Sequence, residues 1–186
     1  MRAEYKLKYP IFVEAAICHY IENQDRIINK PSIAQSVTGH TLNVDQRNHK
    51  ISLLIDFSFS NTKEHPAYST RIQQCIVDPN KLDKVLVFDD KIRLEAFSSK
   101  DKPWEITDNI TVDYQYIGSI GQESIPDITL IIYTNVIYWD IENINEGNRY
   151  HDAEWYEWNS LNDKLIKLPI GAHIVKLVKP YVDQQY

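Results

Sequence analysis

Residues 51–59 read ISLLIDFSF, with apolar side chains at Ile51, Leu53, Ile55, Phe57 and Phe59. In an extended chain successive side chains point to opposite faces, so all five lie on one side of a β-strand. A strand with one wholly apolar face has to rest on a core, so this run sets the texture of the chain from residue 51 onward.

Similar runs recur in both directions. Residues 5–9, 70–77, 84–88, 91–97, 110–117, 154–158, 165–168 and 172–178 read as strands, and 127–139 is the most apolar and reads as a central strand. The dipeptide Asp89-Asp90 and residues 160–163 read as turns. Upstream, residues 11–24 (IFVEAAICHYIENQ) are apolar around most of a helical circumference, which predicts a helix packed into a core. Pro31 predicts the start of a second short helix over 32–38, stopped at Gly39. These elements predict a single α+β domain over residues 1–186. It is expected to be mostly antiparallel β-sheet, or a partly open barrel, with one or two N-terminal helices.

With 186 residues, 43% hydrophobic and 25% charged, the chain can bury one good core. It holds no apolar window of the roughly 18–20 residues that a membrane span requires. The first residues lack an apolar signal region, so a cytoplasmic protein is expected. Cys18 and Cys75 each sit in an apolar run without a neighbouring cysteine, as small buried hydrophobes would. None of the five glycines falls in a GxGxxG, GxxxxGK[ST] or GxSxG spacing. Phosphate-cradling loops and strained nucleophile turns need those glycines, so P-loop, dinucleotide and α/β-hydrolase sites are not expected, nor is a cofactor.

Charge is distributed unevenly. Residues 101–163 carry thirteen acids against two bases, all four tryptophans and six of the twelve tyrosines, within a chain of net charge −6. That balance opposes general nucleic-acid binding, which relies on neutralising phosphates. Carboxylates among flat aromatic rings suit a basic partner: charge steers the encounter and rings supply contact area. The expected function is therefore a non-enzymatic protein-binding module with an acidic, aromatic face, of the inhibitor or immunity-protein kind. Its contact residues would be Asp152, Glu154, Trp155, Tyr156, Glu157 and Trp158. As a strand, this segment places Tyr156 and Trp158 on one face with Glu154, and Trp155 and Glu157 on the other.

A second reading is a metal-dependent hydrolase or nuclease, with Asp127, Asp140, Glu142 and His151 offering oxygen and imidazole ligands. Pro126-Asp127 matches the start of a PD…(D/E)xK nuclease pattern, but no ExK or DxK follows on the next strand. A third is a structural subunit of a viral or secretion assembly. There the basic run Lys164, Lys167, Lys176 and Lys179 would meet the acidic belt of another copy in a homo-oligomer. Residues 33–39 faintly resemble a helix-turn-helix, with Arg47, His49 and Lys50 able to meet phosphate. Gly118 to Gly121 is a GxxG without basic residues and reads as a plain turn.

Overall fold

The structure is a computed structural model that describes residues 30–82, 84–92, 106–117, 125–139 and 149–184. The alternating run lies in β2 (Lys50–Asn61), which is flanked by β1 (Ile33–Asp45) and β5 (Ile106–Gln115) in an open three-stranded antiparallel sheet. The second sheet has five antiparallel strands. Its order is β4 (Val85–Ile92), β3 (Tyr68–Val77), β6 (Thr129–Trp139), β7 (Tyr150–Asn159) and β8 (Lys164–Leu168). A helix, α1 (His173–Asp183), follows.

The main core lies between the two sheets. Ile51, Leu53, Ile55, Phe57 and Phe59 of β2 are fully buried there beside Ile106, Ile110 and Val112 of β5. They meet Ile72 and Ile76 of β3, Leu130, Ile132, Val136 and Tyr138 of β6, and Tyr156 and Trp158 of β7. Burying one such side chain is worth about 1.5–3 kcal/mol, so β2 alone brings a large share of the driving force. A smaller core lies on the other face of the five-stranded sheet, where Val175, Val178 and Val182 of α1 cover Cys75, Val77, Ile131, Tyr133 and Trp155. β6, in the middle of that sheet, is covered on both faces, which is why 127–139 is nearly continuously apolar.

This architecture corrects the expected fold class. Among the described residues the protein is two open antiparallel sheets with one short C-terminal helix; they close no barrel, and no helix stands at 32–38. Closure into a barrel would need a backbone ladder between the sheets. Instead β1 meets β7 through the Asp152 side chain. The segment 32–38, expected as a helix, belongs to β1. A register shift between Val37 and Gly39 inserts Thr38 as an extra residue, so Ile33, Gln35 and Val37 pair on the core side before it, and His40, Leu42 and Val44 after it. A bulge breaks the period of two, and that concealed the strand. The helix-turn-helix comparison falls with this correction, since Arg47 and His49 sit in the β1–β2 turn. The helix expected at 11–24, the strand at 5–9 and Gly118 to Gly121 lie outside the described residues.

Two further expectations change. Residues 172–178 are not a strand but the first part of α1, whose buried valines fall three and four residues apart, one stripe of a helix. Asp89-Asp90 is not a turn, because β4 runs straight through it. Arg71 donates to Asp90 through Nε and Nη2, and Lys91 bridges Asp89 and Asp108, so each carboxylate has a cation to hold it in a strand. The turn expected at 160–163 is present, with Asp163 at φ 47°. No helix of the described residues is long and apolar enough to cross a membrane.

Candidate functional site

The contact residues expected at 152–158 occupy β7, and the alternation of that strand divides them between the two cores. Tyr156 and Trp158, 4% and 0% exposed, point into the inter-sheet core. Trp155, 5% exposed, lies under α1 with its ring 4.6 Å from that of Tyr133. The carboxylates are engaged internally. Asp152 Oδ2 accepts from the Ile33 backbone N–H at 2.8 Å and from the Tyr138 hydroxyl at 2.6 Å, while the Asp152 carbonyl accepts from Gln35 Nε2. Glu154 accepts from the Tyr156 hydroxyl at 2.6 Å and pairs with Lys167 at 2.5 Å. Burial, together with these carboxylates, pushes the phenols of Tyr138 and Tyr156 well above their ordinary range. Glu157 is half-buried on the same face as Trp155. Asp163, in the following turn, accepts from Trp158 Nε1 at 3.0 Å and holds His40 Nε2 at 3.0 Å, which joins β1 to the β7–β8 turn. The segment therefore works as a clamp between layers, using the same acids and rings that suggested a contact face.

The four residues considered for a metal do not come together. Asp127 accepts from Asn159 Nδ2 beyond one end of the β6–β7 pair, where Thr129 faces Asn159. His151 faces Ile137, eight residues further along β6, a separation of about 26 Å. Asp140 and Glu142 lie outside the described residues. No group of three or more potential metal ligands occurs among the described residues.

A cleft does open on the outer face of the five-stranded sheet, on the part that α1 leaves uncovered. It encloses about 450 Å³ and is lined by Arg71, Gln73, Tyr133, Asn135, Ile137, Arg149, His151 and Asp183. Sheet register builds it row by row. Arg71, Ile137 and His151 are cross-strand neighbours in one row, Gln73, Asn135 and Ala153 in the next, and Cys75, Tyr133 and Trp155 in the third, which the helix covers. The floor is polar and buried, with Gln73 at 2% and Asn135 at 5% exposure. Asn135 Nδ2 donates to Gln73 Oε1 at 3.3 Å, and the sealed Asn135 Oδ1 has no hydrogen-bond partner among the described residues. A buried amide oxygen without a partner is costly, about 1–3 kcal/mol, and is uncommon in native proteins.

The cleft is electrostatically two-ended. At the His151 end, Arg149 is exposed and has no ion-pair partner among the described residues. Burial first, and then the Arg149 charge, lower the His151 pKa against an opposing pull from Asp152, which favours the neutral imidazole. Arg71 shares this end, with its charge met by Asp90, whose carboxyl it holds below the ordinary range. At the Tyr133 end stands Asp183, the last residue of α1. Burial chiefly, then Cys75 and Asp183, raise the Tyr133 phenol pKa. The Cys75 thiol is pushed up to about 12 by burial, so it is inert as a nucleophile.

Of these lining residues, sequence reasoning singled out His151 alone. A signal for the others was present: the polar pairs Gln73-Gln74 and Thr134-Asn135 interrupt two otherwise apolar strands. Each pair sends one polar side chain to either face, with Gln73 opposite Asn135 in the cleft and Gln74 opposite Thr134 towards the core.

No family model matches the chain, and no curated protein matches it. Among solved structures it is similar to the protein designated ApaA from Bordetella pertussis, at 12% identity and TM-score 0.46, over 76% of this chain and 97% of that one. It is also similar to the structural-genomics target SoR45, at 15% identity and TM-score 0.44, over 76% of this chain and 91% of that one.

Proposed function

We propose that the protein is a binding module whose ligand site is the cleft on the outer face of the five-stranded sheet. One observation carries this reading: the centre of the most buried strands holds an amide pair, Gln73 and Asn135, at the bottom of an opening of ligand size. An apolar pair there would cost nothing in unmet hydrogen bonds, so the amides suit a site that needs polar groups. The class of function is the one composition suggested, a binding protein, but at a different surface. Capture of a basic partner by residues 152–158 is less well supported, because Trp155, Tyr156 and Trp158 are buried and Asp152 and Glu154 are engaged. A cytoplasmic setting remains part of the proposal.

The test is a fragment screen on the full chain, read from the NMR signals of the Gln73 and Asn135 side-chain amides and the His151 imidazole. Fragments that move these three sets together, and no longer move the Gln73 and Asn135 amides in a His151→Trp variant that fills the cleft mouth, support the site. Fragments that perturb only other surfaces remove it.

A further inference from the structure

The distribution of charge along the cleft specifies the chemistry of its ligand, an inference that rests on the reading of the cleft as a binding site. A cation without a partner among the described residues, Arg149, stands at one end, and a carboxylate likewise unpaired among them, Asp183, stands at the other. Between them lies an amide floor with one buried acceptor, Asn135 Oδ1, unspent among the described residues. A simple anion would use Arg149 alone and leave Asp183 repelling it. A simple cation would have the reverse difficulty. A ligand with opposite charges at its ends and N–H groups between them satisfies all three.

The length of the cleft narrows the choice. Tyr133, beside Asp183, and Ile137, beside His151, are four residues apart on β6, about 13 Å. An extended chain of three residues spans about 10 Å, which matches that distance to within one hydrogen bond. The opening of about 450 Å³ lies in the range of pockets that enclose small ligands.

We propose that the cleft binds a short peptide with both termini free. Its ammonium group pairs with Asp183, its carboxylate pairs with Arg149, and a backbone N–H reaches the Asn135 amide oxygen after a small shift of the Gln73–Asn135 pair. Ion pairs at the mouth and a hydrogen bond at the floor recognise chain ends and backbone, so the site reads length and free termini more than side-chain identity.

The experiment titrates the full chain with trialanine, N-acetylated trialanine and C-amidated trialanine, followed by the same NMR signals. Free trialanine is expected to bind, and blocking either end is expected to weaken it at least tenfold. Arg149→Gln should abolish the penalty for amidation alone, and Asp183→Asn the penalty for acetylation alone. Both positions are exposed, and unchanged melting temperatures confirm that the variants fold. Equal binding of all three peptides overturns recognition of the termini. Absence of trialanine binding, with fragments still moving the cleft signals, overturns the peptide assignment and leaves the site intact. If neither peptides nor fragments move those signals, the site itself is refuted and this inference with it.

Discussion

Replacing Asp152 with alanine takes away the acceptor that ties the start of β1 to the five-stranded sheet. The carboxylate receives the Ile33 N–H at 2.8 Å and the Tyr138 hydroxyl at 2.6 Å, and Tyr138 is only 1% exposed. Hydrogen bonds to a charged group are worth about 1.5–3 kcal/mol each. Tyr138 keeps an alternative, the Pro31 carbonyl at 3.0 Å, so its loss is partial. The Gln35 bond to the Asp152 carbonyl is backbone-borne and survives. Taking the first bond in full and the second in part gives about 3 kcal/mol, a fall in Tm of about 6–12 °C for a domain of this size. Urea unfolding followed by tryptophan emission measures it directly, since Trp155 and Trp158 report on the two cores. A double-mutant cycle with Tyr138→Phe isolates the shared bond and should show coupling of about 1 kcal/mol or more. A loss below about 1 kcal/mol for Asp152→Ala, or no coupling to Tyr138, would show that the clamp does not hold the sheets together.

Trp158→Phe breaks the 3.0 Å bond to Asp163 and leaves a void in the main core, with an expected loss of about 2–4 kcal/mol in urea unfolding; a neutral outcome would deny both effects. Val178→Ala with Val182→Ala should free α1 from the outer face. Ellipticity at 222 nm should fall and Trp155 emission shift to the red, while the sandwich still unfolds cooperatively; full retention of helix would refute this packing as its support. His151 has a folded pKa below its unfolded value, so the unfolded chain binds its proton first, and stability drawn from the neutral imidazole declines as pH falls below about 6.5. Arg149→Gln should raise the His151 midpoint in an NMR titration, and an unmoved midpoint would mean that burial alone lowers it. Cys75, 1% exposed, should react with thiol reagents only at the rate of protein opening, and fast labelling at neutral pH would contradict its burial.

How much of this was legible in the chain depends on whether the relevant signal is local. The strands around 51–59 and 127–139 follow from apolar period and continuity, since a strand that faces a core must repeat every two residues and one buried on both faces need not alternate. The division of residues 154–158 into two sets of neighbours follows from the same pleat. The β1 bulge shifts the period at Thr38 and so removes the pattern by which the strand would be known. In α1 the valines favour a strand locally, and only packing against Trp155 and Tyr133 selects the helix whose stripe they form.

By itself, then, the sequence determined which side chains share a face around 51–59 and 154–158, and the uneven charge of the chain, because these need only chain geometry and counting. Which face is inside was left to the tertiary structure. Trp155 and Trp158 are equally apolar on opposite sides of one strand, and each is buried only because another layer, α1 in one case and the β1–β2–β5 sheet in the other, comes to lie on it. The cleft belongs to the same category. Gln73 and Asn135 are 62 residues apart, and their meeting depends on the register of two strands and on the place where the helix stops covering them. Burial and juxtaposition are properties of long-range packing, and no local period encodes them.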